Sequence, residues 1–272
     1  MPGEPPARGA VFDQIAPQYD ATRDPVAPEV ADRLASLLRD GDGGVVLEVG
    51  VGTGRMAVPL GERGLTVAGV DRSWAMLGYA RGKGLSRLMH GDAYHLPIRS
   101  ASVAHVLYVH VLHLLSHPAA ALREAHRVSR GEVVALFHRQ RPIRTHPSAS
   151  VRAPVREAFY RRLAHEGYPL DPRPSRPWRR ERELLSRFPP TRLTTLSEGV
   201  RVETATERLR LVRRRALRKF IDVPAEVIEA AVDEILPQVD GWRTTFEDTV
   251  LCAQWRPAKG GTRHRAPRGG GN

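Results

Sequence analysis

A chain of 272 residues that is 41% hydrophobic has the material for one substantial core and a smaller accessory part. Its longest near-apolar stretch, residues 101–115, holds three histidines in 15 residues, which excludes a membrane-spanning helix, and its single cysteine, Cys252, excludes an internal disulfide or a cysteine-based zinc cluster. The formal charge of +12 suits a polyanionic partner such as nucleic acid, but only three of the 42 basic residues are lysines (Lys83, Lys219, Lys259), and part of the excess lies in the acid-free tail "RPAKGGTRHRAPRGGGN".

Residues 1–10 lack the apolar core of a signal peptide and read as disordered, so the expected compartment is the cytoplasm. In "VFDQIAPQYDATRD", Phe12, Ile15 and Tyr19 recur three and four apart and predict a short helix. Residues 28–39 predict an amphipathic helix, with Pro28 at its start and Gly41 beyond its end. From residue 45 short apolar runs (45–49, 66–70, 86–90, 103–109, 132–138) alternate with helical patterns near 54–63, 73–82 and 117–128. That alternation predicts an α/β fold with a doubly wound parallel sheet covered on both faces. The rhythm breaks over residues 141–180, rich in Pro and Arg with a helix at 152–166. It returns over 181–204 with the helix "ERELLSRF" and the strand "TRLTTLSEGV". Residues 205–221 set Leu209, Val212, Leu217 and Phe220 against a run of arginines, and Pro224 opens the acidic helix "PAEVIEAAVDEIL". "EDTVLCAQW" closes the sheet, with Cys252 buried and inert in the last strand. The expected organisation is a nucleotide-binding core at 11–140, lid insertions at 141–180 and 205–240, a last core strand within 241–256, and a disordered basic tail at 257–272.

The stretch "VLEVGVGTGR" places Gly50, Gly52 and Gly54 on alternate positions after an apolar run. A dinucleotide fingerprint, G-x-G-x-x-G, would put its third glycine at position 55, which is Arg55. The pattern suits instead a ligand with an amino-acid end, whose ammonium group the Glu48 carboxylate can orient. Asp71 ends the second strand, where a carboxylate accepts hydrogen bonds from ribose hydroxyls. Asp92 follows the third strand, suitably placed for an adenine amino group. The spacings, 17 residues from Gly54 to Asp71 and 21 more to Asp92, fit one strand–helix repeat each.

These segments resemble the class I S-adenosylmethionine-dependent methyltransferases, in the type 11 branch that includes the quinone-biosynthesis C-methyltransferases. "FDQIAPQYD" resembles that branch's N-terminal signature, "LEVGVGTGR" its first motif, "GVDRSWAML" its ribose motif and "GDAYHLPI" its adenine motif. "REAHRVSRGEVVALF" is similar to its last helix and fifth strand. The likeness covers about residues 11–140 and, more weakly, 181–255. It implies a Rossmann-like, seven-stranded, mostly parallel sheet with helical lid insertions, S-adenosyl-L-methionine as cofactor and S-adenosyl-L-homocysteine as product. It also implies cofactor contacts from Tyr19, Glu48, Gly50, Gly52, Gly54, Asp71, Arg72, Met76, Asp92, Ala93 and Val109. Tyr19 would close over the cofactor and Met76 would cover the adenine, with plain core packing as the alternative for both and for Trp74; Arg72 contacts the adenosine or is solvated. The chain departs from the pattern twice. Ala104, followed by His105, stands where an acid usually opens the fourth strand, and the Pro-Gly-Gly turn before the fifth strand is shortened to "SRGEV".

Methyl transfer from a sulfonium is an in-line displacement, so catalysis consists largely of alignment and water exclusion, with a general base for hydroxyl or acidic-carbon acceptors. "YVHVLHLL", at the end of the fourth strand, offers His110 and His113, whose imidazoles have an ordinary pKa of about 6.5. The resemblance matches His113 to a substrate-facing histidine; packing against the next helix is the alternative for both. His110, His113 and His117 have no carboxylate nearby, so no metal site is expected. The arginines of 152–182 and 208–219 line an anionic pocket, track a phosphate backbone, or form a solvated face. The leading reading is a methyltransferase acting on a small-molecule acceptor, anionic or neutral, at C, O or N. The alternatives are an RNA or other nucleic-acid methyltransferase, a non-catalytic S-adenosylmethionine-binding regulator, and an NAD-dependent dehydrogenase.

Overall fold

The computed structural model describes residues 8–39, 43–143, 152–169, 177–213, 220, 222–239 and 241–256. Most of the segments read as disordered (1–7 and 257–272), and Leu217 of the arginine-rich stretch, lie outside the described residues. Residues 8–10, expected to be disordered, form the first turn of α1 (Arg8–Tyr19).

The chain continues with α2 (Pro28–Arg39), β1 (Val45–Val49), α3 (Ala57–Glu62), β2 (Thr66–Asp71), α4 (Trp74–Gly82), β3 (Leu88–His90), β4 (His105–Val109), α5 (Pro118–Val128) and β5 (Val133–Pro142). Then come α6 (Arg152–His165), α7 (Pro177–Arg187), β6 (Arg192–Thr204), α8 (Ala205–Arg213), α9 (Ala225–Val239) and β7 (Arg243–Trp255). One seven-stranded sheet has the order β3-β2-β1-β4-β5-β7-β6, parallel from β3 through β5, with β7 antiparallel to both its neighbours. No helix among the described residues is long and apolar enough to cross a membrane.

The unbroken apolar runs of β1, β4 and β5 follow from burial on both faces. Alternate side chains enter opposite cores, as the two-residue period of a strand requires. Leu47, Val106, Tyr108, Ala135 and Phe137 pack with Ala121, Leu122 and Ala125 of α5 and Leu184 of α7. Val46, Leu107, Val134 and Leu136 pack with Leu34 and Leu38 of α2 and Leu60 of α3. Buried Tyr108 satisfies its hydroxyl by donating to the Ala121 carbonyl at 3.1 Å.

The insertions differ from the expected pair of lids. Phe159 and Leu163 of α6, Leu209 and Val212 of α8, Phe220, and Ile228, Val232 and Ile235 of α9 form one apolar cluster, with Phe159 edge-on to Phe220 at 5.4 Å. Two segments far apart in sequence thus bury their faces on each other, because neither helix alone can shed its apolar stripe. The α7 helix straddles the expected boundary at 180/181 and joins the sheet core through Leu184. A capping box starts α8: Thr204 Oγ1 accepts the Glu207 N–H at 3.1 Å, and Glu207 Oε2 accepts the Thr204 N–H at 2.8 Å.

The α1 helix is fastened to the carboxyl ends of the strands. Asp13 Oδ1 accepts from Ser73 Oγ at 2.6 Å and from the Ala75 N–H at 3.0 Å, at the first turn of α4. Ile15 and Ala16 pack on Met76. Asp20 accepts from Thr53 Oγ1 at 2.6 Å and pairs with Lys83. Asp13→Ala therefore removes two hydrogen bonds, one of them to a helix start. It should lower unfolding free energy by about 1–2 kcal/mol in urea titrations and speed limited proteolysis within α1. Wild-type cleavage rates in that variant would refute the fastening.

Candidate active site

A cavity of about 250 Å³ opens at the carboxyl ends of β1, β2 and β4, where α/β sheets place ligands. Its wall includes Tyr19, Glu48, Gly50, Gly52, Asp71, Arg72, Met76, Asp92, Ala93, Val109 and His110. Two residues expected at the site, Gly54 and His113, are not part of the wall.

The three loop glycines serve different ends. A Cβ on Gly54 would sit 2.6 Å from Leu85 Cδ1, so this glycine admits close packing behind the loop and makes no room for a ligand. At Gly50 a Cβ would meet Val111 Cγ2 at 2.5 Å. Gly52 alone has no atom within 4 Å of a built Cβ; its φ of +54° is left-handed and its α-carbon faces open cavity.

Asp71 ties this loop to the next one. Its Oδ2 accepts the Gly52 N–H at 2.8 Å and its Oδ1 accepts the Ser73 N–H at 2.9 Å. Burial outweighs those bonds and moves its pKa upward. Asp92 Oδ1 accepts the Tyr94 N–H at 3.0 Å, and its Oδ2 lies 3.9 Å from the Arg72 guanidinium. Glu48 is the most constrained acid. It is 2% exposed, accepts from the Ala57 N–H, and has no partner for Oε2. Burial, then repulsion from Asp71, pushes its pKa up to about 8. A buried carboxylate with an unsatisfied oxygen in a cavity wall is a seat for a cation.

Met76 does both things considered for it: it is buried against α1 and also forms cavity wall. Tyr19 forms wall from the end of α1, with the Arg23 guanidinium 4.9 Å above its ring. Trp74 is neither core nor cavity wall. It is 67% exposed and stacks flat on His90, centroids 4.4 Å apart. Cys252 is buried, and burial raises its thiol pKa to about 12.

At the end of β4, His110 takes a left-handed φ of 57°, one of two non-glycine residues to do so among those described. Its N–H donates to the Leu136 carbonyl at 3.2 Å. The ring is reachable from the cavity, while desolvation by the surrounding protein, then His138 and His113, pulls its pKa down to about 4, leaving it neutral at neutral pH. His138 lies 6.0 Å from it, ring to ring, and His138 Nε2 is 2.7 Å from Asp248 Oδ1. His113 sits on the turn Leu112–Leu114, and its carbonyl lies 3.5 Å from an Arg180 guanidinium nitrogen of α7. Burial and that cation lower its pKa. His113 is not among the residues of the cavity wall, which its neighbours Val111, Leu114, Leu115 and Ser116 help to form. No group of three metal-ligating side chains is assembled among the described residues.

Sequence reasoning missed Thr53, Tyr94 and the His138–Asp248 pair. Tyr94 Oη accepts the Ser116 and His117 N–H groups at 3.0 and 3.1 Å, joining two cavity loops. No described residue of α6, α8 or α9 lines the cavity.

Residues 47–137 match the family model of a methyltransferase domain. Across 127 residues the chain is 35% identical to a demethylmenaquinone methyltransferase of Renibacterium salmoninarum, covering 44% of this chain and 53% of that protein. Across 132 residues it is 32% identical to a malonyl-[acyl-carrier protein] O-methyltransferase of Yersinia pestis, covering 48% and 49%. The chain thus spans about half the length of the curated relatives it matches. Its fold is similar to that of an Anabaena variabilis protein described as a methyltransferase of an antibiotic-biosynthesis pathway, with a TM-score of 0.54, 17% identity, and coverage of 85% of this chain and 98% of that one. The fold is that of the Rossmann-like methyltransferases. The domain at 47–137 belongs to the class I S-adenosylmethionine-dependent methyltransferases, type 11.

The donor set fits that cofactor. The free oxygen of Glu48 answers an ammonium group, Asp71 and Asp92 stand at successive strand ends, and Gly52 leaves open space. Two outcomes follow for titrations with S-adenosylmethionine. Gly52→Val fills that space and strains a left-handed backbone, so affinity should fall at least about 100-fold; unchanged affinity would remove this loop from the site. Because Glu48 is protonated at pH 7 and must ionise beside an ammonium, binding should release a proton. Affinity should then climb with pH up to about 8. Calorimetry in buffers of different ionisation enthalpy reads that proton directly, and Glu48→Gln should flatten the dependence.

Proposed function

We propose that the protein transfers the methyl group of S-adenosylmethionine to a small organic acceptor held beside His110. The carrying observation is His110 itself, a neutral imidazole in a left-handed conformation at the end of β4, exposed to the cavity. Bound cofactor supplies an electrophilic methyl on a positively charged sulfur. The chain supplies a seat for the cofactor's ammonium at Glu48, an apolar wall from Phe12, Val111, Leu114 and Leu115 that keeps water back, and a base at His110. His138, held by Asp248, stands beside that base, with the two ring centres 6.0 Å apart.

The distribution of charge supports a small acceptor over a nucleic acid. Arg161 pairs with Glu157, Arg162 with Glu166 and Glu234, Arg208 with Glu203, and Arg213 with Glu229 and Asp233. Arginines already paired with carboxylates do not form a phosphate track. The two curated relatives are named for demethylmenaquinone and malonyl-[acyl-carrier protein], both organic acceptors.

The test incubates the full chain with methyl-labelled S-adenosylmethionine and cell lysate, then separates solvent-extractable molecules, nucleic acid and protein. Label should appear in the extract; label in RNA or DNA would overturn the reading. His110→Asn keeps a residue that tolerates the left-handed backbone and removes the base, so turnover should fall about 100-fold or more with cofactor affinity retained. His113→Ala should stay near wild type, and an equal loss there would move the base off His110. The acid limb of the wild-type pH–rate profile should fall near pH 4, following the depressed His110, and not near the ordinary histidine value.

A further inference from the structure

A second cavity, of about 330 Å³, opens at the opposite, amino-terminal end of the parallel strands. The length of β4, from His105 to Val109, separates the two ends by roughly 13 Å. The second cavity is lined by Ala104, His105, Arg130, Glu132, Arg192 and Arg256, among others. Both departures from the methyltransferase pattern fall here: Ala104–His105 in place of an acid, and the shortened turn Ser129–Gly131.

Those departures have local physical consequences. The Gly131 N–H donates to the Ala104 carbonyl at 2.9 Å, and a Cβ on Gly131 would come within 2.6 Å of that oxygen. The tight turn so formed brings Arg130 to the cavity. His105 is 6% exposed, and its Nδ1 accepts the Glu132 N–H at 3.2 Å, so the ring proton resides on Nε2 as a free donor. Alanine at 104 removes the negative charge that would otherwise oppose an anion.

Glu132 is compensated: Arg256 Nε lies 2.5 Å from its Oε1, and Gln254, 4% exposed, donates to its Oε2. Although burial alone would raise it, these bonds hold the Glu132 carboxyl below the ordinary range. Arg130 and Arg192 make no ion pair or side-chain hydrogen bond among the described residues, in contrast to the paired arginines of α6 and α8. Among the described residues, two guanidinium groups and one imidazole N–H therefore face a concave site in which the one acid of the lining, Glu132, is already paired.

We infer that this cavity is a binding site for a phosphate group, carried by a small molecule or free, distinct from the methyl-transfer site. Two guanidinium forks match the charge and the oxygens of a phosphate dianion. The volume beside Leu37 and Ala104 leaves space for the organic part of a phosphomonoester.

The experiment titrates the full chain with glycerol 3-phosphate and, separately, inorganic phosphate, by calorimetry at constant ionic strength. Saturable binding with a Kd of about 1 mM or tighter is expected. The double variant Arg130→Ala/Arg192→Ala should weaken it at least about tenfold. The charge-matched double variant Arg81→Ala/Arg87→Ala, at surface positions away from this cavity, should bind as wild type. All four arginines are solvent-exposed, so circular dichroism should show both variants folded. Tighter binding of the ester assigns the site to phosphomonoesters, and equal affinities assign it to free phosphate. No saturable heat with either probe, or equal loss in both double variants, overturns the site.

Discussion

The Asp71 carboxylate is the joint on which the cavity at the carboxyl ends of the strands depends. One oxygen holds the glycine loop through the Gly52 N–H, and the other holds the start of α4 through the Ser73 N–H. Asp13 of α1 grips the same helix start. Three segments from different parts of the chain are thereby set around one cavity, with backbone donors committed to buried carboxylates. Concentrating acids in this way has an electrostatic consequence. With Asp71 close by and no cation beside it, Glu48 is driven toward its neutral form, and the site gains most from a ligand that brings a positive charge.

The His110 side of the cavity is organised by the antiparallel half of the sheet. Because β7 runs against β5, Asp248 in the middle of β7 lies beside His138 in the middle of β5. His138 in turn stands next to His110 at the end of β4. The long β6–β7 hairpin also carries the α6–α8–α9 cluster, which completes its own core.

The two ends of the sheet are chemically opposite. At the carboxyl ends, acids predominate beside open glycine backbone, suited to a ligand with cationic and hydrogen-bonding groups. At the amino-terminal ends, Arg130 and Arg192 line the second cavity and make no ion pair among the described residues. A rigid, doubly covered sheet between the ends lets one fold present both environments without mutual neutralisation.

Much of this was legible in sequence, for reasons of local physics. Uninterrupted Val/Leu runs read as strands buried on two faces, and β1 and α2 have the expected limits. Glu48, Asp71 and Asp92 stand at strand ends because each strand–helix repeat returns the chain to the same edge. Other features were decided only by tertiary structure. The separation of 110 positions between His138 and Asp248 is bridged by sheet order, which no local pattern encodes. Gly54 and Gly52 look alike in "GTG", yet one accommodates Leu85 and the other faces the cavity. His113 leaves the cavity wall because a tight turn rotates it away after His110, and Trp74 lies outside because His90 offers it a flat partner. The sequence by itself determined the strand–helix alternation and the identity of the acids at the strand ends, since periodicity and spacing are properties of adjacent residues. Only the tertiary structure decided which side chains meet across strands and which arginines keep a free charge, since both depend on neighbours that the chain brings together only by folding.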